Sequence, residues 1–342
     1  MDFVEVDGSS GEGGGQILRT AVSFSVILNK PVRVTKIRAG RPEPGLRRQH
    51  MWALLTARDL FGGELAGAEV GSTEVSYVPG KLHRGSATVD METAASITLL
   101  LQTLVPAVAL TGRGLELDVA GGTDVPWSPT FDYVREVVRP ALSAVGIEFE
   151  VEAARRGYYP RGGGRVRVKV LPSKEIRGVN WRERPMGVSA RIVSRGGSLP
   201  PHVAERQAGA AKAALIEAGV DVAGVQTFQG ESDSPGSSVL AYGVGDGVFL
   251  GSDCIGAKGV PAEEVGMKAA EGFVSSFASK ASVDPHLADM VVPLLSLAAG
   301  ESAVCTPEVT SHLETGMALA TQFTSRRFIV ERGQRNALVR VA

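Results

Sequence analysis

A glycine-rich turn and the basic segment after it hold the first residues whose types and spacing could do chemistry. The turn reads DGSSGEGGGQILRT over residues 7–20, and an apolar run follows Gly13, Gly14 and Gly15. Backbone N–H groups at a helix start, together with the helix dipole, suit an anion. The segment 38–50, RAGRPEPGLRRQH, adds four arginines, and arginine binds phosphate bidentately. These features predict a phosphate site, with a nucleotide or a polymer as its ligand.

The glycine turn lacks the signatures of the common nucleotide loops. No Lys-Ser/Thr pair follows its glycines, so the turn is not a Walker A loop. Gln16 stands where a dinucleotide-binding fingerprint would have its third glycine. Glu12 adds a carboxylate, which could compensate the helix dipole or hold Mg²⁺ between phosphates. Both roles for Glu12 remain open from the residues alone.

A histidine near the end of the chain is the candidate nucleophile. His312 lies in VTSHLETG, where Ser311 and Glu314 have capping-box spacing. This spacing predicts Ser311 as the N-cap and His312 as the first helical residue. The positive end of the helix dipole keeps a histidine there neutral and stabilises an arriving phosphoryl group, which suits a covalent phosphoramidate. A Ser/His/Asp hydrolase is the competing use of His312, but no GxSxG elbow is present.

A second glycine-rich turn precedes another predicted helix. Residues 121–129 read GGTDVPWSP and resemble the first turn in composition and position. Trp127 and Pro129 offer flat apolar surfaces, which could bind a base or serve only for packing.

Composition limits the function classes. The chain has 342 residues, of which 44% are hydrophobic, and a formal net charge of −1. It therefore has no global signature of polyanion binding, and any nucleic-acid contact must use a local basic patch. The segment 30–50 is such a patch, with seven Lys or Arg and one acid. The only cysteines, Cys254 and Cys305, show no metal-ligand spacing, so a zinc site or a disulfide framework is not expected.

The N-terminal segment and the longest apolar run bear on location. MDFVEVDGSS has neither the basic nor the apolar region of a signal peptide. The apolar run 97–110 contains Gln102 and Pro106 and is too short to span a bilayer. We therefore expect a cytoplasmic protein without a membrane partner.

The alternation of strand-like and helix-like segments indicates an α/β fold. Landmarks such as Val32 and Leu115 recur about 83 residues apart, which predicts repeated βαβαβ-type units. We predict two complete units, followed by a third that begins with a strand at 164–171 and is interrupted. The predicted large domain comprises 1–184 and 281–342, and a small α/β domain comprises 185–280. The predicted helices that matter for the site are 16–28, 44–60, 93–110, 128–145, 286–297 and 311–323.

Several of these motifs together resemble the RNA 3′-terminal phosphate cyclase family. They are GSSGEGGGQILRTA, IRAGRPEPGLRRQH, LLLQTLVPA, GGTDVPWSPTFDY, GYYPRGGG, HLADM and SHLETG, and they occur in this order along the whole chain. The resemblance implies three repeats, similar to the C-terminal domain of translation initiation factor 3, with a small α/β domain inserted in the third.

The resemblance also implies a reaction in three steps that consumes ATP. His312 would attack the α-phosphate of ATP, and the AMP would pass to the 3′-phosphate of an RNA end. The neighbouring 2′-OH would then displace AMP and leave a 2′,3′-cyclic phosphate. The implied cofactors are ATP and a divalent metal, Mg²⁺ or Mn²⁺. The implied partner is RNA with a 3′-terminal phosphate. A homodimer is compatible with the resemblance.

Site residues follow from the resemblance, position by position. His312 is the implied nucleophile, and Glu12 is the implied metal ligand. The implied nucleotide pocket comprises Gln102, Pro129, His286, Leu287, Ala288, Asp289 and Met290. The implied ligands of the RNA phosphate are Arg19, Arg38, Arg41, Arg47, Gln49 and His50.

Two other readings of the sequence remain open. Cyclase-like ribosome-assembly proteins share the fold but lack the nucleophile, and His312 argues against this reading. Enolpyruvyl transferases have similar repeats and bind anionic small molecules, which the basic segment would fit, but they have no use for SHLETG. A pure RNA-binding module is the weakest alternative, because the chain lacks stacking-aromatic motifs and its net charge is near zero.

Overall fold

The structure is a computed structural model that describes residues 2–182 and 188–342. It contains mixed sheets and helices, which confirms the predicted α/β class. The predicted start of the inserted domain, residue 185, lies outside the described residues.

The first sheet and its helices come from the N-terminal part of the chain. They are β1 (Val4–Asp7), α1 (Gly15–Leu28), β2 (Val32–Thr35), α2 (Arg48–Phe61), β3 (Gly63–Ala66) and β4 (Val75–Pro79). The strand order is β1-β2-β4-β3. β1 and β2 are parallel, with Val4 opposite Val32, and the other pairs are antiparallel.

The second sheet follows the same plan. Its elements are β5 (Ser86–Asp90), α3 (Ile97–Ala109), β6 (Leu115–Gly121), α4 (Phe131–Tyr133), a π-helical turn (Val134–Val138), α5 (Arg139–Ala144), β7 (Phe149–Arg155) and β8 (Gly164–Val170). The strand order is β5-β6-β8-β7. The prediction that the strand at 164–171 opens the third unit is wrong, because β8 pairs antiparallel with both β6 and β7.

Two short strands lead into a separate sheet with its own core. The short strands are β9 (Ile176–Arg177) and β10 (Asn180–Trp181). The elements that follow are β11 (Ala190–Gly197), α6 (His202–Glu217), β12 (Val222–Gly230), β13 (Gly236–Gly245), β14 (Val248–Ile255) and α7 (Ala262–Ala278). The sheet order is β12-β11-β13-β14, and a cluster of buried apolar side chains that includes Ile192, Leu215 and Phe273 lies between the sheet and the two helices.

The last part of the chain completes a third sheet around β10. Its elements are α8 (Pro285–Val291), a 3₁₀-helix (Pro293–Leu297), β15 (Ala298–Ala299), β16 (Ser302–Thr306), α9 (Ser311–Thr324), β17 (Phe328–Arg332) and β18 (Ala337–Val341). The order β10-β16-β18-β17 has the same parallel and antiparallel pairs as the first two sheets. Each of the three units thus reads β-α-β-α-β-β, one strand more than the predicted unit.

The helices bring the three units together in one apolar core. Helix α1 packs against both α3 and α9, and the rings of Phe24 and Phe323 lie 5.7 Å apart. Lys30 follows α1 and donates to the carbonyl of Phe323 at 2.7 Å. Because α1 is shared, the beginnings of α1 and α9 lie next to each other, although they are far apart in sequence.

Three predicted helices begin later than expected. The helix predicted from residue 93 begins at Ile97, where Ser96 is the N-cap. The predicted start at Pro44 is wrong, because residues 45 and 46 hydrogen-bond to the carbonyls of Ile37 and Ser72 and hold the chain outside a helix until Arg48. The predicted start at Ser128 is also wrong. Trp127 has a left-handed backbone with φ of 66°, and Thr130 caps the helix that begins at Phe131.

The predicted helix 286–297 is two elements in the structure. Asp284 caps α8, and Pro293, which lacks an N–H, begins the 3₁₀-helix. No helix among the residues described is both long and apolar enough to cross a membrane.

Candidate active site

A cavity of about 710 Å³ lies where α1, α3, α8 and α9 converge. Twelve of the predicted site residues line it, from both the predicted phosphate group and the predicted nucleotide group. They are Glu12, Arg19, Arg38, Arg41, Gln49, His50, Gln102, Pro129, His286, Asp289, Met290 and His312. A single cavity therefore holds the candidate nucleophile, the cationic side chains and the candidate base-binding side chains.

Three predicted site residues do not line this cavity. Leu287 and Ala288 are fully buried in the apolar core beneath α8. Arg47 precedes α2 and forms an ion pair with Glu43. These three residues therefore lie beside the cavity rather than in its wall, and their predicted contact with a ligand stays a prediction.

The ring of His312 is held by the side chain of Gln16. Gln16 Nε2 donates to the backbone carbonyl of His312 at 3.2 Å, and Gln16 Oε1 lies 2.6 Å from His312 Nδ1. Since the amide nitrogen of Gln16 must face the carbonyl, its oxygen faces the ring, and Nδ1 is the nitrogen that carries the proton. In the neutral ring, the other nitrogen, Nε2, therefore has the free lone pair that a nucleophile requires.

The helix that presents His312 begins one residue earlier than predicted. Thr310 is the N-cap of α9, and its Oγ1 accepts from the N–H of Leu313 at 2.9 Å. The prediction of Ser311 as the cap is wrong, and Glu314 forms no capping box because its carboxylate pairs with Arg332 at 3.1 Å. His312 nevertheless lies in the first turn of α9, where the helix dipole favours negative charge.

Asp289 of α8 connects the cap of α9 to the cavity. The hydroxyl of Thr310 donates to Asp289 Oδ1 at 2.5 Å. Burial raises the pKa of Asp289 to about 6, although the bond from Thr310 opposes the shift. The side chain thereby fixes the start of α9 from the adjoining helix.

Glu12 projects from the glycine turn toward His312. Its side chain is 5% exposed, and Oε2 accepts from Arg41 Nη2 at 2.8 Å and lies 3.9 Å from His312 Nδ1. The second oxygen, Oε1, is buried and has no hydrogen-bond partner among the described residues. A buried carboxylate oxygen without a partner is costly unless a ligand or a cation meets it.

Glu12 is the predicted metal ligand, and the structure can be compared with that prediction. Across residues 2–182 and 188–342, no cluster of three or more His, Cys, Asp or Glu side chains could enclose a metal ion. Mg²⁺ often uses one or two protein carboxylates and completes its shell with water and substrate phosphates. The free oxygen of Glu12 fits that pattern.

Arg19 and His50 form the base of the cationic wall. No hydrogen bond or ion pair to Arg19 occurs within the described part of the chain, and burial lowers its pKa to about 10, against the attraction of Glu12. His50 is buried, and its Nδ1 accepts from the N–H of Arg47 at 3.2 Å. Burial, together with repulsion from Arg19, Arg38 and Arg47, lowers the pKa of His50 to about 3, so the ring is neutral. Gly15 is required beside it, because a Cβ there would collide with the His50 ring.

Arg38 and Gln49 complete this wall. The backbone of Arg38 is left-handed, with φ of 56°, and only a long hydrogen bond of 3.4 Å to the carbonyl of Glu43 uses its guanidinium. Its Nε is buried without a partner among the described residues. Gln49 is exposed at the start of α2, next to His50. Unpaired guanidinium groups around one cavity favour a phosphate ligand.

A second group of residues that line the cavity includes the predicted base-binding side chains. Pro129 is fixed by a hydrogen bond from Thr98 Oγ1 to its carbonyl, at 2.8 Å, and Gln102 lies one helical turn further along α3. Asp253 of β14 accepts from the N–H of Thr130 at 2.6 Å, and burial raises its pKa. His286 and Met290 of α8 line the same cavity. A proline ring, an imidazole and a thioether provide the apolar surfaces that a purine base needs.

Three residues that shape the site escape the sequence prediction, namely Gln16 and Asp253, which line the cavity, and Thr310, which caps α9. Gln16 contacts a residue 296 positions away, and Asp253 comes from β14. Thr310 is adjacent to the capping box that the sequence suggests. Only Thr310 has a local signal, since Thr is a common N-cap.

The sequence profile of the RNA 3′-terminal phosphate cyclase family matches residues 10–330. The chain belongs to this family. Relatives named RNA 3′-terminal phosphate cyclase include a Thermococcus kodakarensis protein, 43% identical over 334 residues, which are 97% of this chain and 95% of the relative. A Pyrobaculum aerophilum protein is 42% identical over 95% of this chain and 94% of its own length, and a Hyperthermus butylicus protein is 42% identical over 92% and 90%.

The cyclase family match includes all of the predicted site. Every cavity residue, from Glu12 to His312, lies within the matched residues. As a member of the cyclase family, the chain is an enzyme.

Proposed function

We propose that the chain converts the 3′-terminal phosphate of RNA to a 2′,3′-cyclic phosphodiester through a covalent His312–AMP intermediate. The observation that carries this proposal is the pair of contacts from Gln16, which orient the ring so that, in its neutral form, the free lone pair is on Nε2 beside a cationic cavity. The names of the relatives support the cyclase activity, and the geometry supports the histidine as nucleophile.

In the first step, His312 Nε2 attacks the α-phosphorus of ATP. A nitrogen–phosphorus bond forms, the bond to the β-phosphate oxygen breaks, and pyrophosphate leaves. The positive charge that develops on the ring is stabilised through the Nδ1–H bond to Gln16 Oε1. The first turn of α9 stabilises the phosphoryl oxygens.

In the second step, an oxygen of the RNA 3′-phosphate attacks the same phosphorus and displaces His312. The product is RNA(3′)pp(5′)A. Arg19, Arg38 and Arg41 would hold the RNA phosphate, with Gln49 and His50 beside them. Neutral His50, whose Nδ1 is already an acceptor, carries its proton on Nε2 and can donate a hydrogen bond.

In the third step, the neighbouring 2′-OH oxygen attacks the 3′-phosphorus, loses its proton, and AMP leaves. The hydroxyl is already tethered, because C2′ adjoins the C3′ that carries the reacting phosphate. Such proximity can supply roughly 7–11 kcal/mol of the barrier. Adenylation is needed first because a phosphate monoester has no good leaving group.

The adenine would lie between Pro129 and His286, with Gln102, Asp289 and Met290 around the nucleoside. Leu287 and Ala288 would support this pocket from the core. Glu12 is the residue that would hold a divalent cation, through its unpartnered Oε1. When bound, Mg²⁺ or Mn²⁺ would neutralise phosphate charge at the reacting centre.

Self-adenylation tests the proposal. The folded protein is incubated with ATP labelled at the α-phosphate and a divalent cation, without RNA. We expect the wild-type protein to become labelled, with a label that is lost in acid and retained in base. His312→Asn should take no label. Folded wild-type protein that takes no label with either Mg²⁺ or Mn²⁺ would falsify the covalent mechanism and favour a non-catalytic RNA-binding role.

A further inference from the structure

Trp127 is placed unlike the other two tryptophans of the chain. Its side chain is 98% exposed, whereas Trp181 is buried and Trp52 is partly buried. Trp127 also lines the cavity, so it lies at the cavity's edge with solvent. A large apolar ring with almost no protein contact contributes nothing to packing.

The backbone at Trp127 is also in an unfavourable conformation. Its φ of 66° is a region in which bulky residues are genuine outliers. Such conformations persist only where the surroundings hold them, and they concentrate at ligand sites.

The flanking residues provide that support. Ser128 Oγ donates to the carbonyl of Val125 at 2.8 Å, and Thr98 fixes the carbonyl of Pro129. Asp253 binds the N–H of Thr130 at 2.6 Å. The indole is therefore presented to solvent by a well-bonded loop.

Trp127 at the cavity edge suits a polymer better than a mononucleotide. The cavity of about 710 Å³, lined by Pro129 and Gln102, has room for a nucleotide. An RNA end whose phosphate bound Arg19 and Arg38 would have to leave through the opening, because the rest of the strand lies outside. A strand that left past Trp127 would bring the first base beyond the phosphate to the indole.

We propose that Trp127 stacks on the base of the 3′-terminal nucleotide of the RNA, a placement that rests on the proposed function. Stacking on an exposed indole needs no hydrogen-bond code, so all four bases are bound alike. The enzyme would then bind single-stranded RNA ends independently of their sequence.

The test uses Trp127→Gly, with Trp127→Tyr as the rescuing variant. Glycine relieves the left-handed strain, so the Gly variant should fold at least as stably as the wild type. Its Kd for an oligoribonucleotide ending in 3′-phosphate should rise roughly 5- to 150-fold, and Tyr should restore most of the affinity. Tyr159→Leu, at an exposed aromatic that does not line the cavity, is the matched control and should bind as the wild type does.

The terminal base is identified with abasic oligonucleotides. Removal of the terminal base should weaken RNA binding by the wild type, so that the wild type and Trp127→Gly bind the abasic RNA with equal affinity. If removal of the penultimate base does so instead, the assignment is wrong. An equal loss of ATP affinity in Trp127→Gly would assign the indole to adenine and overturn the proposal.

A fluorescence measurement reports the contact itself. In a protein with Trp52→Phe and Trp181→Phe, Trp127 is the only tryptophan. RNA should quench its emission, and ATP alone should not. The stacking proposal alone would be refuted if self-adenylation were normal, RNA did not quench the emission, and Trp127→Gly bound RNA with unchanged affinity. Absence of self-adenylation in the wild type would instead refute the proposed function.

Discussion

Gln16 binds His312 at two points, through Oε1 to ring Nδ1 at 2.6 Å and through Nε2 to the backbone carbonyl at 3.2 Å. The two contacts set both the direction of the ring and the nitrogen that carries its proton. Gln16→Met retains the length of the side chain and loses both contacts. The rate of self-adenylation should fall roughly 100-fold, as expected for a misplaced nucleophile.

Gln16→Glu separates orientation from electrostatics. A carboxylate still accepts from Nδ1 but favours the protonated ring, so the acid limb of the pH–rate profile for self-adenylation should move to higher pH. A purely structural role for Gln16 would lower the rate without moving this limb. Unchanged labelling rates in both variants would show that the contacts are incidental.

Glu12 should set the demand for a divalent cation. Glu12→Gln retains the bond pattern near Arg41 and removes the anionic ligand. Binding of Mn²⁺, followed by paramagnetic resonance with a non-hydrolysable ATP analogue present, should weaken at least about tenfold. Glu43→Gln, an exposed acid in the same basic segment, is the control. Equal Mn²⁺ affinity in Glu12→Gln and wild type would remove Glu12 from the metal site.

Arg19 should contribute more to binding of the RNA end than Arg47. Arg19 faces the cavity without a partner in the described structure, whereas Arg47 pairs with Glu43 outside it. Arg19→Met should raise the Kd for 3′-phosphate RNA roughly 10- to 150-fold, the value of a charge-assisted hydrogen bond. The slope of log Kd against log salt should fall by about 0.7.

Arg47→Met and Arg58→Met complete this comparison. Arg58 pairs with Asp59 near the far end of α2, and its loss should leave RNA binding unchanged. RNA ending in 3′-OH should bind Arg19→Met and wild type alike. If Arg47→Met loses as much affinity as Arg19→Met, Arg47 contacts the ligand directly, as the sequence predicted.

His50 should make the fold sensitive to acid. Its pKa is about 3 in the folded state and 6.5 in its ordinary state, so the unfolded chain binds the proton more tightly between these values. The contribution of neutral His50 to the free energy of unfolding is therefore fully present above pH 6.5, and it is lost as the pH falls toward 3. The difference between the two pKa values corresponds to a loss of at most about 5 kcal/mol in the free energy of unfolding.

His50→Asn tests this acid dependence. Asn can accept the bond from the N–H of Arg47 but does not titrate. The free energy of unfolding, measured by urea at a series of pH values, should decline less steeply between pH 6.5 and 4 in the variant. Parallel decline in both proteins would mean that other groups control acid unfolding.

Asp132 should matter greatly for stability. Its buried carboxylate meets Arg156 at 2.7 Å, Arg195 of β11 at 2.6 Å and Arg135 at 3.3 Å. Burial would raise its pKa, but Arg156 and Arg195 together lower it. Asp132→Ala should reduce the free energy of unfolding by roughly 3–5 kcal/mol, because it removes the ion-pair partner of Arg195 and leaves buried Arg156 with Asp124 alone.

A surface pair provides the control for Asp132. Asp118 pairs with Arg167 at 3.3 Å, and both side chains are exposed. Asp118→Ala should cost less than about 1 kcal/mol in the same denaturant titration. Similar losses in the two variants would show that the network around Asp132 adds no stability.

The sequence predicts local structure well where pattern and capping agree. The bounds of α1 and α9 are predicted to within one residue, since each has an apolar face and a clear first turn. The predicted start at Pro44 is wrong, because hydrogen bonds to Ile37 and to Ser72, nearly thirty residues after Pro44, hold that segment outside a helix. The last strand, β18, is absent from the prediction although Ala337–Val341 alternates in burial.

The site residues also fall into two groups, those that the sequence predicts and those that it does not. His312, Glu12 and the arginines stand in recognisable local motifs, and the structure brings most of them to one cavity. Gln16 and Asp253 have no such motif, since their roles depend on partners supplied by the folded chain. Arg47 shares a motif with Arg41, yet its ion pair with Glu43 directs it elsewhere.

The packing of α1 against α9 has a consequence for synthesis of the chain. The nucleophile and the amide that orients it come from opposite ends of the polypeptide, joined by Phe24 with Phe323 and by Lys30. Under the proposed mechanism, a nascent chain cannot react with ATP until the segment that carries His312 has left the ribosome and docked against α1. The same arrangement makes the protein a natural candidate for fragment complementation, in which two inactive pieces regain labelling only when mixed.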